Sequence, residues 1–278
     1  MTGAAGGLGV AMRDRLKANC EVLRLSDVRD FGPAKNAEEI YLTDLADAAA
    51  VDGEPDEPLT ATLVRRNEPE HDRALLYVHG WNDYFFQAHL ADEMAGQGYD
   101  FYAVDLRRYG RSLRGKQLAG YIVHLTDYFH ELDRALAILV DEGHDDIVLM
   151  GHSTGGLIAS LWADQRPGVF SALILNAPWL ELQANSLLRP ATQPMFSAAR
   201  AVVATTALPQ MDTGFYRRTI SKAEEGEWEY NANLKGDPAF LIRVGWMAAI
   251  LEGHARVAAG LAIDCPVLVA ISGRSDFR

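Results

Sequence analysis

From residue 59 onward the chain alternates short apolar runs with longer stretches whose apolar residues recur at helical spacing. "LTATLVRR" (59–66) alternates like a half-exposed strand, and "RALLYVHG" (73–80) is a short apolar run ending in His79-Gly80. A helix is predicted over about 86–97. The strand "YDFYAVD" then ends at Asp105 and opens into a loop carrying Arg107, Gly110 and Arg111. In "YIVHLTDYFHELDRALAILVDEG" the residues Leu125, Phe129, Leu132, Leu136 and Leu139 fall at helical spacing. "DDIVLM" reads as a buried strand, "GGLIASLWADQ" as the helix behind it, and "FSALILNAPW" and "CPVLVAIS" as two further strands. Such alternation predicts an α/β architecture, a mostly parallel sheet with helices on both faces.

Two intervals depart from this pattern. Nearly ninety residues separate Ala177 from Pro266, too many for one crossover helix, so an inserted helical cap is expected at about 179–245. The interval carries Trp179, Trp228, Trp246, Met195, Phe196, Met211, Phe215, Tyr216 and Met247, which either line an acyl pocket or form the cap's own core. The other interval is "DGEPDEP" (52–58), acidic and rich in Pro and Gly. It divides the chain into an N-terminal piece (1–53), a linker (54–58) and a main domain (59–278).

The N-terminal piece has its own motif. Gly3, Gly6 and Gly9 stand in TGxxGxxG spacing ahead of a helix-like stretch from Val10 to about Ala18. "EVLRLSD" reads as a strand ending in Asp27, and "EEIYLTDLAD" as another. Such glycines let a backbone approach a pyrophosphate at a helix N-terminus, and Asp27 stands at about the distance of a ribose-binding carboxylate. The segment resembles the opening of an extended short-chain dehydrogenase/epimerase of the sugar or uronate type. That resemblance implies a partial Rossmann-like fragment and, as an alternative function, NAD-dependent oxidoreductase chemistry. No strand precedes the glycines, however, and no Tyr has a Lys four residues later. The expectation is a fragment without bound cofactor.

Charge and composition narrow the partners. A formal charge of -12 argues against nucleic acid and anionic membrane, both of which need clustered Lys and Arg. The N-terminus lacks the features of a signal peptide, and no apolar run approaches the length of a membrane span. The only cysteines, Cys20 and Cys265, show neither CxxC nor Cys/His spacing, so no metal site or disulfide framework is expected. A soluble, cytoplasmic protein acting on a small molecule fits these bounds.

The chemistry concentrates in "LMGHSTGG" (149–156). A G-x-S-x-G after an apolar strand and before a small-residue helix places Ser153 on a sharp turn, its oxygen projecting above the sheet. Together with "YVHGWNDYFFQ", "DLRRYGRS" and "PVLVAISGRSD", it makes residues 59–278 resemble the α/β-hydrolase fold, of the broad group containing monoglyceride-lipase-like and serine-aminopeptidase-like hydrolases. The resemblance implies that Ser153 is the nucleophile and that the backbone N–H groups of Thr154 and Trp81 form the oxyanion hole. Asp276 is the implied acid, with Glu181 as the fallback position. His79 and His152 are expected to support the loops rather than act as base.

The implied reaction is cleavage of a small-molecule carboxylic ester with an apolar acyl group through an acyl-enzyme, with no cofactor. The family's base is a late histidine after one further helix and strand. The last histidine here is His254. The expectation is therefore a hydrolase lacking its final strand and base, with an inactive scaffold or gene-fusion fragment as a further alternative.

Overall fold

The apolar runs become eight strands: β1 (Leu25–Asp27), β2 (Glu38–Thr43), β3 (Thr60–Arg65), β4 (Arg73–Val78), β5 (Asp100–Asp105), β6 (Asp146–His152), β7 (Ala172–Asn176) and β8 (Val267–Ala270). They come from a computed structural model that describes residues 25–27, 38–43, 54, 59–66, 68–182, 189–209, 214–236 and 238–273. The helices are α1 (Ala88–Gly96), α2 (Phe129–Asp141), α3 (Thr154–Asp164), α4 (Arg189–Val203), α5 (Phe215–Ile220) and α6 (Val244–Ala258). The predicted glycine motif at residues 3–9, Cys20 and Asp276 lie outside the described residues. Cys265 is a free, half-buried thiol.

One sheet runs in the order β1-β2-β3-β5-β4-β6-β7-β8. From β5 to β8 the pairing is parallel, whereas β1, β2, β3 and β5 pair antiparallel. The chain lays β5 on one side of β4 and β6 on the other. The carboxyl ends of β4 and β6 therefore meet at the topological switch point, where open α/β sheets place their ligand crevice.

Side chains alternate across β4 into two cores. Ala74, Leu76 and Val78 enter the larger, with Leu132, Leu149, Leu157 and Trp162, while Leu75 and Tyr77 enter the smaller, with Phe85, Ala91 and Phe101. Helices cover both faces, as a parallel sheet requires. Helix α3 is buried almost throughout, between β6 and α6, which explains its small and apolar composition.

Three features differ from the sequence reading. Strand β3, expected to be half exposed, is buried on both faces, with Ala61 and Leu63 in the larger core and Val64 in the smaller. Strands β1 and β2 continue this sheet in antiparallel pairing, where a dinucleotide-binding unit would pair its strands in parallel. Within the predicted linker, Glu54 is held by Arg108 at 2.6 Å, both side chains buried. At the opposite edge β8 carries exposed Val267, Leu268 and Val269, and no strand pairs beyond it among the described residues.

Candidate active site

The turn at Ser153 is built by close backbone approach. A Cβ on Gly155 would overlap the carbonyl oxygens of Val78 and His79, so only glycine lets the first turn of α3 sit against the end of β4. Ser153 itself has φ 52° and ψ -118°, a sparsely populated backbone region for a residue with a side chain. Its N–H donates to the Asn176 carbonyl at 3.1 Å, and its own carbonyl accepts from Gly156 and Trp179 at 3.0 and 2.9 Å. Strain of this kind costs about 1–3 kcal/mol and persists only where the surroundings over-determine it.

The loop after β4 lies directly against this turn. A Cβ on Gly80 would meet the Ser153 Cβ at 3.1 Å. Buried His79 controls the loop's first peptide: its Nε2 accepts the Leu106 N–H at 3.0 Å, so Nδ1 carries the proton and donates to the Gly80 carbonyl at 2.8 Å. In a trans peptide the N–H of Trp81 then points away from that carbonyl. The N–H of Thr154 heads α3, where helices leave their amides unpaired. Among the described residues, no acceptor engages the N–H of Trp81 or Thr154.

Burial holds the His79 imidazole below its ordinary pKa of 6.5, an effect that Asp105 and Asp83 oppose. The folded state thus binds fewer protons than the unfolded chain below about pH 6.5, and stability falls as pH drops from there towards the folded pKa. A buried His254 is depressed for the same first reason, so the two share the effect. Urea midpoints are expected to decline from pH 7 to pH 5, and His79→Asn to flatten part of that slope. An unchanged slope in the variant would contradict this.

An aromatic cluster stands beside the serine. Trp81 contacts Trp246 (ring centres 4.1 Å apart), Tyr109 (5.9 Å) and Phe240 (6.0 Å), and Trp246 reaches Trp179 at 6.1 Å. Of the cap residues singled out in the sequence, Trp179 and Trp246 join this cluster. Trp228 instead stacks on His89, Met195 is exposed, and Met211 lies outside the described residues.

All eight histidines are described, and none is hydrogen-bonded to the Ser153 hydroxyl. His152 Nδ1 donates to the Asn176 carbonyl at 3.1 Å. His254 Nε2 donates to the Trp179 carbonyl at 2.8 Å, leaving a buried Nδ1 with no hydrogen-bond partner among the described residues. Glu181 is exposed, yet near enough to favour the protonated form of His254 against its burial.

A buried polar network underlies the site: Asp105, Arg107 and Arg111 stand out in the sequence, whereas Glu131, Asn82 and Asp83 do not. Asp105 accepts from Phe85 N–H and Arg111, while Arg107 pairs with Glu131 where both side chains are fully buried. Asn82 and Asp83 bind the cap, as described below.

A serine on a strained strand-to-helix turn, facing the first loop across the switch point of such a sheet, defines the α/β-hydrolase fold. More narrowly, the chain belongs to the serine aminopeptidase S33 family, whose profile matches residues 69–277. It is 28% identical to lysophospholipase L2 of Escherichia coli strain K12 over 253 residues, covering 83% of this chain and 71% of that one. A soluble variant of monoglyceride lipase from Saccharomyces cerevisiae shares the fold with TM-score 0.54 and 15% identity, over 89% of this chain and 75% of that one. A further stretch of 52 residues, 18% of the chain, is 58% identical to uronate dehydrogenase of Pseudomonas putida (strain KT2440) and spans only 19% of that enzyme. No helix among the described residues is long and apolar enough to cross a membrane.

Proposed function

We propose that the chain is a serine hydrolase that cleaves a small-molecule carboxylic ester with an apolar acyl group through an acyl-enzyme on Ser153. The strained backbone at Ser153 carries this reading, because such a turn has a cost and its effect is to present one hydroxyl above the sheet. The N–H groups of Trp81 and Thr154 would receive the developing oxyanion, and Asp276 would be the acid. Loss of one such donor typically costs ~10²–10³ in rate. The tryptophan cluster suits an apolar acyl chain, and the relatives named above include lipolytic enzymes.

A fluorophosphonate probe tests this. The folded chain is expected to take up label at Ser153 slowly, and Ser153→Ala to take up none. Labelling of a competing ester series should show preference for longer acyl chains. Label that survives in Ser153→Ala would overturn the assignment. The second reading, a scaffold without turnover, rests on the absence of any histidine bonded to Ser153. A folded wild-type chain that stays unlabelled would establish it instead.

A further inference from the structure

Four side chains of the loop after Trp81 grip one segment of the cap. The Asn82 carboxamide oxygen accepts the N–H groups of Gly236 and Phe240 at 2.7 and 3.3 Å. Asp83 pairs with Lys235 at 2.8 Å, with both side chains buried. The Tyr84 hydroxyl accepts the Asn231 N–H at 2.7 Å, and Phe86 packs on Tyr230 at 5.3 Å. The Lys235 ammonium lies 4.5 Å from the ring centres of both Phe86 and Tyr230, a cation held among aromatic faces. The cap answers in kind: a Cβ on Gly236 would overlap Phe240 N and the Ala239 carbonyl carbon, so glycine is what lets the segment wrap the carboxamide.

Asn82 also has φ 52°, left-handed backbone that asparagine tolerates better than most residues. The Trp81 peptide is therefore set from two sides, upstream by His79 on the Gly80 carbonyl and downstream by the turn at Asn82. We infer that Asn82 is a positioning residue: the docked cap segment, through its carboxamide and the adjoining Asp83–Lys235 pair, fixes the direction of the Trp81 N–H. This rests on the reading of that N–H as an oxyanion donor. Undocking of Asn231, Lys235, Gly236 and Phe240 frees the carboxamide and lets the peptide turn, so the oxyanion hole is complete only under a closed cap.

Asn82→Gly keeps the left-handed backbone accessible and removes the acceptor. Asp83→Asn/Lys235→Met loosens the same clasp without stranding a buried charge. The 15N-relaxation order parameter of the Trp81 amide, hydrogen exchange at Gly236 and Phe240, and fluorophosphonate labelling, split into its maximal rate and the probe concentration for half of it, read the separate levels. Both variants are expected to exchange at Gly236 and Phe240 about tenfold faster than wild type, with β4 and β6 unchanged, and to lower the order parameter at Trp81. The maximal labelling rate should fall about tenfold or more, short of the ~10²–10³ of a lost donor, at an unchanged half-maximal concentration. An unchanged order parameter at Trp81 in Asn82→Gly would overturn the proposal, and so would a lowered one with wild-type labelling. If the wild-type protein takes no label, the Ser153 reading fails and the Trp81 order parameter alone decides the clasp: lowered in the variants sustains it, unchanged overturns it.

Discussion

Offered an activated ester such as a p-nitrophenyl alkanoate, the chain is expected to release about one equivalent of nitrophenolate per Ser153 and then nearly stop. The asymmetry is chemical. Expelling nitrophenolate needs little help with protons, so with the proposed oxyanion donors Ser153 can be acylated slowly without a positioned base. The serine hydroxyl and the deacylating water each lose a proton as they attack, but deacylation must also deliver a proton to the departing serine oxygen, and none of the eight histidines is hydrogen-bonded to the serine to carry it. In a serine protease, removing the triad histidine costs about 10⁶ in kcat. The acyl group should therefore accumulate, visible as added mass on the intact chain and absent in Ser153→Ala. Sustained turnover at ordinary hydrolase rates would contradict the prediction and mean that a histidine moves onto the serine. His152, next in sequence, and His254, one residue's backbone away through Trp179, are the two to replace by alanine in that event.

The elbow was legible because its requirements are local. Apolar strand, two glycines and a small-residue helix occupy sixteen consecutive positions, 147–162, and each follows from close packing at the end of β6. The HG loop was legible for the same reason. What stayed hidden depends on partners far along the chain. Glu54 sits in an acidic Pro/Gly stretch that reads as solvated linker, and only the fold brings Arg108 to it. Asn82 and Asp83 look like ordinary loop polars until Gly236 and Lys235 arrive from the cap. Strand β3 looked half exposed because Thr60 and Thr62 alternate with apolar residues, yet Thr62 is buried and accepts a hydrogen bond from Ser112. A buried polar residue with a distant partner leaves no periodic trace.

Glu131 is the clearest such case, and Glu131→Gln is expected to destabilise the fold by about 3–5 kcal/mol. Helical spacing marks its neighbour Leu132, and Glu131 by charge alone would be assigned to the wet face. Instead its side chain is fully buried, accepting from the Arg107 backbone N–H at 3.2 Å and from Arg107 Nε at 3.0 Å. Burial by itself would drive the guanidinium pKa down, and Glu131 more than reverses that. A carboxamide in its place would fill the same space but leave the Arg107 cation buried without a countercharge, which is the costly state. Replacing both partners, Arg107→Met with Glu131→Leu, should recover most of the loss, since apolar groups need no compensation. Urea unfolding of Arg107→Met, Glu131→Leu and the double variant closes the cycle, and a double variant no more stable than Glu131→Leu would refute the electrostatic account. The consequence reaches the active site through one residue. Leu106, next to Arg107, donates to His79, and His79 holds the Gly80 carbonyl that aims the Trp81 N–H. Glu131→Gln should therefore also quicken hydrogen exchange at Leu106 before the fold is lost, whereas an equally destabilising change far from this chain of contacts should not.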